Sequence, residues 1–346
     1  MSVNRVVNVA INGYGVIGKR IAEAVSRQDD MRLVGVADVT TDWRVWPLEQ
    51  LGVPLYAADP ARVDAMRDAG LSPVGTLEDL LGGTDVVIDC TPKGIPERNI
   101  PRYRAHGVKF IVQGGEQHQL TGHSFVADTS FDTAVGREST RVVSCNTTSI
   151  VRTLGALRRA GLLAQARGTL LRRATDPWES DRGGIMNTLV PEATIPSHQG
   201  PDAQDVDPDL DVVTMAVKVP ETIAHLHYWS VRLTRPAEKA KILDAFGASS
   251  RIALLRTADG LGALNTVKEL MADLGRPHES LYEVGLWEDM LTVSGDELYY
   301  AYMVDNQAIV IPENIDAIRA LTGLSDDAGD SIRLTDGSLG IRTRLR

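Results

Sequence analysis

Along the first 145 residues, short apolar runs alternate with segments whose apolar positions recur every three or four residues. "RVVNVAI" reads as a strand, followed by a glycine-rich turn, the helix "KRIAEAVSRQ" and the strand "MRLVGVA". "DVVIDC" and "VKFIVQ" are further buried strands, with polar helical segments such as "PERNIPRYRAH" between them. Strand and helix in regular alternation imply an α/β fold, a doubly wound parallel sheet with helices on both faces. Past Cys145 the pattern changes. Ile150, Val151, Leu154 and Leu157 fall at helical spacing, and Gly161 is a natural stop. "VVTMAVKV" (212–219), "IAHLHYWSVRL" (223–233) and "IALLR" (252–256) are longer strands, and "AEKAKILDAF" and "NTVKELMADLG" are helices among them. "MLTVSGDELYYAYMV" predicts a hairpin turning at Ser294-Gly295-Asp296. This half is expected to be an α+β domain with a mostly antiparallel or mixed sheet. Residues 180–209, rich in Pro, Gly and Asp, are expected to form one long loop, and the polar tail after Leu324 to be loosely held.

Composition narrows the function classes. A chain of 346 residues with 43% hydrophobic content has room for two cored domains. A formal net charge of -10 argues against general attraction to nucleic acid or to an anionic membrane, though local arginines can still hold small anions. Two cysteines form no disulfide framework, and without a C-x-x-C pair no metal site is predicted. That composition suits a reducing, cytoplasmic setting. The run "VVNVAI" is too short and too polar for a signal segment, and nothing approaches a membrane span.

"GYGVIG" sets Gly13, Gly15 and Gly18 in G-x-G-x-x-G spacing, directly after a strand and opening a helix. The first glycine makes the turn, the second lets a pyrophosphate approach the backbone, and the third lets helix and strand pack closely. The helix start faces the phosphates. Asp38, at the end of the next strand and about twenty residues on, suits ribose hydroxyls and repels a 2′-phosphate. The expected cofactor is therefore NAD, with NADP less favoured. A generic α/β turn with a surface aspartate is the bland alternative.

Cys145 sits between a strand and a helix, where unpaired backbone N–H groups favour a thiolate. The plain reading is a small buried hydrophobe, as for Cys90 in "VVIDCTP". A dinucleotide domain followed by an activated cysteine suggests aldehyde oxidation through a thioester. That chemistry needs a base. His225 and His227 in "AHLHYW" point to one face of a strand, and spacing does not choose between them. Arg172 and Arg173 end a strand, where one can enter an anion pocket or both can be solvated. His198, Gln199 and Gly200 lie in an irregular loop that can meet a ligand or simply solvent. "QGGE" (113–116) follows a parallel strand at its C-terminal end, where open sheets bind ligands.

In order, "INGYGVIGKR", "VVIDCTPKGI", "QGGE", "VVSCNTT", "RRATDP", "PSHQGPD", "TMAVKVPETIAHLH" and "IVIPENIDAIRAL" resemble the archaeal-type (class II) glyceraldehyde-3-phosphate dehydrogenases, from Val6 to about Leu321. The resemblance implies a Rossmann domain at 1–144, completed by the C-terminal helix 312–346, and a catalytic and oligomerisation domain at 145–311. It implies Cys145 as nucleophile and His225, the first histidine of "HLH", as base. Ser144, Asn146 and Thr147 match substrate positions, as do Arg172, His198, Gln199 and Gly200. Val16, Ile17, Gly115, Arg173 and Asn306 match cofactor positions beside the glycines and Asp38. It further implies glyceraldehyde 3-phosphate and inorganic phosphate as partners, and a homotetramer.

Two departures stand out: Ser149 where the family usually has glycine, and Gln199 where it usually has a second histidine. They motivate a second reading, the same chemistry on another phosphorylated or phosphonylated aldehyde. A third reading, a nucleotide-binding regulator without turnover, is opposed by the presence of both Cys145 and His225.

Overall fold

A computed structural model describes residues 5–345. The chain divides into two units, each described by itself. One runs to Ser144 and takes back Ile311–Leu339, and the other comprises Cys145–Val310 and the segment from Gly340 on.

The first unit holds an eight-stranded sheet of β1 (Val7–Asn12), β2 (Met31–Asp38), β3 (Leu55–Ala57), β4 (Gly75–Thr76), β5 (Val86–Asp89), β6 (Lys109–Gln113), β7 (Ser124–Phe125) and β8 (Ser139–Val142). Their order is β4-β3-β2-β1-β5-β6-β8-β7, and every pairing is parallel. Parallel strands covered on both faces must be apolar throughout. Val7, Val9, Ala10 and Ile11 of β1 and Val86, Val87 and Ile88 of β5 are accordingly fully buried. Strand order reverses between β1 and β5, which opens a crevice at their C-terminal ends, Asn12 and Asp89.

The tail departs from the expected loose segment. Helices Ile311–Thr322 and Ala328–Leu339 pack in this unit. Arg319 pins them. Its guanidinium reaches both carboxylate oxygens of Asp30 at 2.7 and 3.0 Å, Gln28 Oε1 at 2.8 Å and Thr335 Oγ1 at 2.6 Å. A fork of donors so buried and so fully matched fixes geometry as well as charge. The segment expected to complete this unit ends at Leu339. Beyond it the chain belongs to the other unit, where Gly340 O accepts from Arg276, Arg342 N–H donates to Glu283, and Leu345 enters an apolar cluster.

The second unit holds β9 (Leu163–Arg173), β10 (Val190–Pro191), β11 (Val212–Val219), β12 (His225–Leu233), β13 (Ile252–Leu255), β14 (Val284–Trp287), β15 (Thr292–Ser294) and β16 (Glu297–Val304). The order is β10-β11-β9-β12-β16-β14-β13, with β15 paired to β16 across the hairpin at 294–296. β9 runs antiparallel to β12 and parallel to β11, so the sheet is mixed. Helix Cys145–Arg159 packs on this sheet with residues 146–157 all buried. The expected long loop at 180–209 contains structure: β10 pairs with β11, and residues Gln199–Gln204 form a helix.

Within the first unit, His123 is buried between two hydroxyls, Thr140 Oγ1 at 2.7 Å and Thr133 Oγ1 at 2.9 Å. Burial, with Arg137 and His118 adding, lowers its pKa to about 4. The unfolded ring titrates near 6.5, so between these values the unfolded chain binds the extra proton. His123 therefore stabilises the fold at neutral pH, and that contribution falls by up to about 3 kcal/mol as pH drops through the window. Denaturant unfolding of the wild type and of His123→Gln, at pH 7.5 and pH 5, should show a stability gap that narrows at the lower pH. A gap independent of pH would contradict this assignment.

Candidate functional site

In the first unit, β1 delivers the chain to Gly13 at the mouth of the crevice. Gly13 adopts φ +96°, and a Cβ there would meet Cys90 C at 2.8 Å. A Cβ on Gly18 would stand 2.0 Å from Gly13 O, so that contact requires glycine. A Cβ at Gly15 meets nothing within 4 Å. The open space lies where a pyrophosphate would approach. Val16 and Ile17 begin the helix Val16–Ser26, whose first N–H groups lack intrahelical acceptors. Gly115, after β6, is exposed with only Lys93 Cβ nearby, at 3.8 Å from an added Cβ.

Asp38 does more than the sequence suggests. One carboxylate oxygen accepts Tyr14 N–H at 2.6 Å and the other accepts Thr40 N–H at 2.8 Å. The side chain thus ties the glycine turn to the end of β2, and each oxygen keeps a lone pair for a ribose hydroxyl. Sequence reasoning missed the surroundings of this carboxylate. Lys19 Nζ stands 4.7 Å from the Trp43 ring centroid and 5.5 Å from that of Tyr14. Burial and the neighbouring Arg44 lower the Lys19 pKa, while Asp42 and Asp38 act to raise it. These features fit a dinucleotide. In the second unit the amide oxygen of Asn306 is buried without a partner, as suits a residue awaiting a ligand's N–H.

The reactive cluster lies in the second unit. Cys145 is the first residue of its helix, and its Sγ is 3.5 Å from His225 Nε2. His225 and His227 project from one face of β12 toward the start of that helix. His227 Nε2 donates to Asn146 Oδ1 at 2.9 Å, and its Nδ1 accepts from Tyr302 O–H at 3.0 Å. The two histidines therefore divide the work: His225 meets the thiol and His227 orients its neighbour. Burial holds both rings neutral. His225 lies well below its usual range, with His227, Arg173 and Arg172 also opposing the cation. His227 is lowered to about 3.

The expectation that the helix start eases thiolate formation is corrected by burial. Desolvation raises the Cys145 thiol to about 11, although Arg173, Asn146 N–H and Arg172 pull it down. At this site loss of water outweighs the helix dipole and both guanidinium groups.

Other anticipated residues have their own partners. Ser144 is half-buried and closely packed, its backbone N 2.2 Å from where Gly114 would carry a Cβ. Thr147 Oγ1 donates to Asp202 at 2.7 Å, joining the Cys145–Arg159 helix to the Gln199–Gln204 helix. Arg172 donates to Glu192 at 2.9 Å, and Glu192 also accepts from His198 Nδ1 at 2.7 Å. That carboxylate, unnoticed in the sequence, takes up both expected anion-binding groups. Arg173 pairs with Asp176 through its guanidinium and reaches Thr175 O at 2.9 Å. Gly200 N–H is also engaged, with Thr214 Oγ1 at 3.0 Å, so it is not the free backbone donor expected of a loop.

Gln199 differs. It is fully buried, and neither its Nε2 nor its Oε1 has a partner. Ser149 is bonded within the protein: its Oγ donates to Asn146 O at 2.7 Å and lies 3.3 Å from Tyr302 Oη.

Comparison with known proteins places this arrangement. Residues 144–273 match the glyceraldehyde 3-phosphate dehydrogenase C-terminal domain. The chain is 42% identical over 336 residues to the glyceraldehyde-3-phosphate dehydrogenase of Methanobrevibacter smithii, covering 96% of this chain and 99% of that one. It is 43% identical over 343 residues to the Methanopyrus kandleri enzyme of the same name, with 97% of both chains covered. Against the Pyrococcus abyssi enzyme it is 42% identical over 335 residues, covering 97% and 99% respectively. With likeness of that extent along the whole chain, and a cysteine and histidine meeting at a helix start, the protein belongs to the archaeal-type glyceraldehyde-3-phosphate dehydrogenase family.

Proposed function

We propose that the protein oxidises glyceraldehyde 3-phosphate reversibly to 1,3-bisphosphoglycerate, with Cys145 as nucleophile and NAD as preferred acceptor. The observation that carries this reading is the 3.5 Å approach of Cys145 Sγ to His225 Nε2 within a family of that activity. Cys145 sulfur adds to the aldehyde carbon to give a thiohemiacetal. A bound nicotinamide dinucleotide supplies the hydride acceptor that turns this adduct into a thioester. Inorganic phosphate then attacks the acyl carbon and expels the Cys145 sulfur. Asn146 lies beside the sulfur with its amide oxygen held by His227, which leaves the amide N–H₂ end for substrate oxygen. Gln199 supplies an unpaired amide for the same ligand.

In the first unit the cofactor would be held by the turn at Gly13, Gly15 and Gly18, the helix start at Val16 and Ile17, Asp38 and Gly115. Preference for NAD rests on the Asp38 carboxylate. The protein is read as a cytoplasmic homotetramer. Among the described residues no helix is long and apolar enough to cross a membrane. Met215, Tyr228, Met290 and Tyr299 are each 40–50% exposed around one shallow cavity on the second sheet, as suits a face buried by another copy.

NADH formation from glyceraldehyde 3-phosphate should depend on inorganic phosphate and should fall by at least about a thousandfold in Cys145→Ser. Absence of turnover in the intact protein, across a panel of phosphorylated aldehydes, would sink the reading. Asp38→Asn keeps an acceptor for the turn and removes the charge. Its ratio of kcat/KM for NADP over NAD should rise about tenfold or more, and an unchanged ratio would refute the role given to Asp38. Gln199→Leu removes two unpartnered polar atoms. It should raise the substrate KM several-fold while leaving thermal stability equal or higher, whereas an unchanged KM would mean the amide does not touch substrate.

A further inference from the structure

The two groups expected to bind an anion are already held by one carboxylate. Glu192 Oε2 accepts from the Arg172 guanidinium at 2.9 Å, and Oε1 accepts from His198 Nδ1 at 2.7 Å. Burial alone would raise this carboxyl. The bond to His198 and the charges of His198 and Arg172 outweigh it and keep Glu192 below the usual carboxylate range. Arg172 still has capacity, because its Nε is buried without a partner. It lines a cavity of about 270 Å³ together with Glu192, Val190, Pro191 and Lys218. The exposed Lys218 ammonium makes no hydrogen bond or ion pair among the described residues.

Register places this cavity beside the reactive pair. Lys218 of β11 pairs with Arg172 of β9. One step past the Leu171–Leu226 pair, Arg172 falls next to His225 of β12. Lys218, Arg172 and His225 therefore stand in a row across three strands on one face, with about 5 Å between neighbours. The charge of Arg172 acts on Cys145, His225 and His227, which agrees with that placement.

We propose that Glu192 is a specificity-determining residue: a resident carboxylate that occupies Arg172 and His198 and holds down the affinity of this cavity for phosphate and other dianions. An arriving phosphoryl group finds a negative charge on the nitrogens that it needs, so it must displace Glu192 or bind beside it. Either way the carboxylate opposes it. Without that charge, Arg172 can offer its fork of donors, Nε included, and Lys218 adds a second cation from the neighbouring strand. The inference goes beyond the proposed function. It rests on that reaction for the identity of the substrate, and not for the existence of the site.

Calorimetric titration with inorganic phosphate, and separately with sulfate, tests the site without turnover. Glu192→Gln keeps the size of the side chain and removes its charge. Its Kd for phosphate should fall about tenfold or more relative to the wild type, and binding should weaken more steeply with added salt. Glu192→Ala should behave alike. Adding Arg172→Gln should abolish the gain. Unchanged or weaker phosphate binding in both position-192 variants would overturn the proposal, as would a gain that survives the loss of Arg172. Kinetics supply a second measurement. In Glu192→Gln the KM for glyceraldehyde 3-phosphate should fall several-fold, with a smaller change in kcat and an unaltered KM for unphosphorylated glyceraldehyde. A higher KM for the phosphorylated aldehyde would show that the carboxylate aligns Arg172 for its ligand, which contradicts the proposal. Failure of the wild type to oxidise any aldehyde would defeat the proposed function and leave the phosphate titration readable.

Discussion

The contact of Cys145 Sγ with His225 Nε2, 3.5 Å apart where a helix start meets β12, is the constraint on which the rest of the second unit's candidate site depends. Burial raises the thiol to about 11 and drives the imidazole below its ordinary range, so each partner resists the charge that would help the other. The attractions present are real but smaller: the first N–H groups of a helix, and the guanidinium of Arg173. A pair kept neutral in this way depends on placement by the fold. Three elements provide it. Cys145 opens a helix, His225 opens β12, and Arg173 closes β9, with the antiparallel β9–β12 register setting the last two side by side.

The two units solve ligand binding in different ways. In the first, a parallel sheet covered on both faces offers backbone: a glycine turn, a helix start, and open space at Gly15. Asp38 is the one side chain with two tasks, since the carboxylate that suits ribose also accepts the N–H groups of Tyr14 and Thr40. In the second unit the candidate site is built of side chains held by other side chains. His227 is fastened by Tyr302 and in turn fastens Asn146, and each link is a buried hydrogen bond. Such a chain is worth having only when every member is satisfied.

Legibility in the sequence followed the same division. The strands of the first sheet were visible as apolar runs, and Gly13, Gly15, Gly18 and Asp38 were visible as a motif, because local spacing determines what they do. Helix Ala328–Leu339 was not visible. Its buried face carries Ser331, Thr335 and Asp336, two of which hydrogen-bond to Asp316, so no apolar stripe announces it. Glu192, Asp202 and Tyr302 were missed for another reason. Each acts on a residue distant in sequence, and the pairing of Tyr302 with His227 depends on β12–β16 register, which local patterning does not fix. Cys145 was found, yet its ionisation was misjudged, since a helix start can be read from sequence and the depth of burial cannot.

Ser149 and Gln199, the two departures from the usual family pattern, are both buried and uncharged, but their consequences differ. Ser149 is satisfied within the protein, bonded to Asn146 O and close to Tyr302, so it tightens the support of Asn146 and asks nothing of a ligand. Gln199 is left with two unpartnered polar atoms, a state that costs about 1–3 kcal/mol for each buried group. That cost is recovered when a ligand supplies both an acceptor and a donor. With Arg172 and His198 engaged by Glu192, a ligand reaching the amide at position 199 would meet hydrogen bonding rather than charge. The pocket should therefore discriminate by the geometry of hydroxyl and phosphoryl oxygens, and respond weakly to ionic strength, because neutral contacts are not screened by salt.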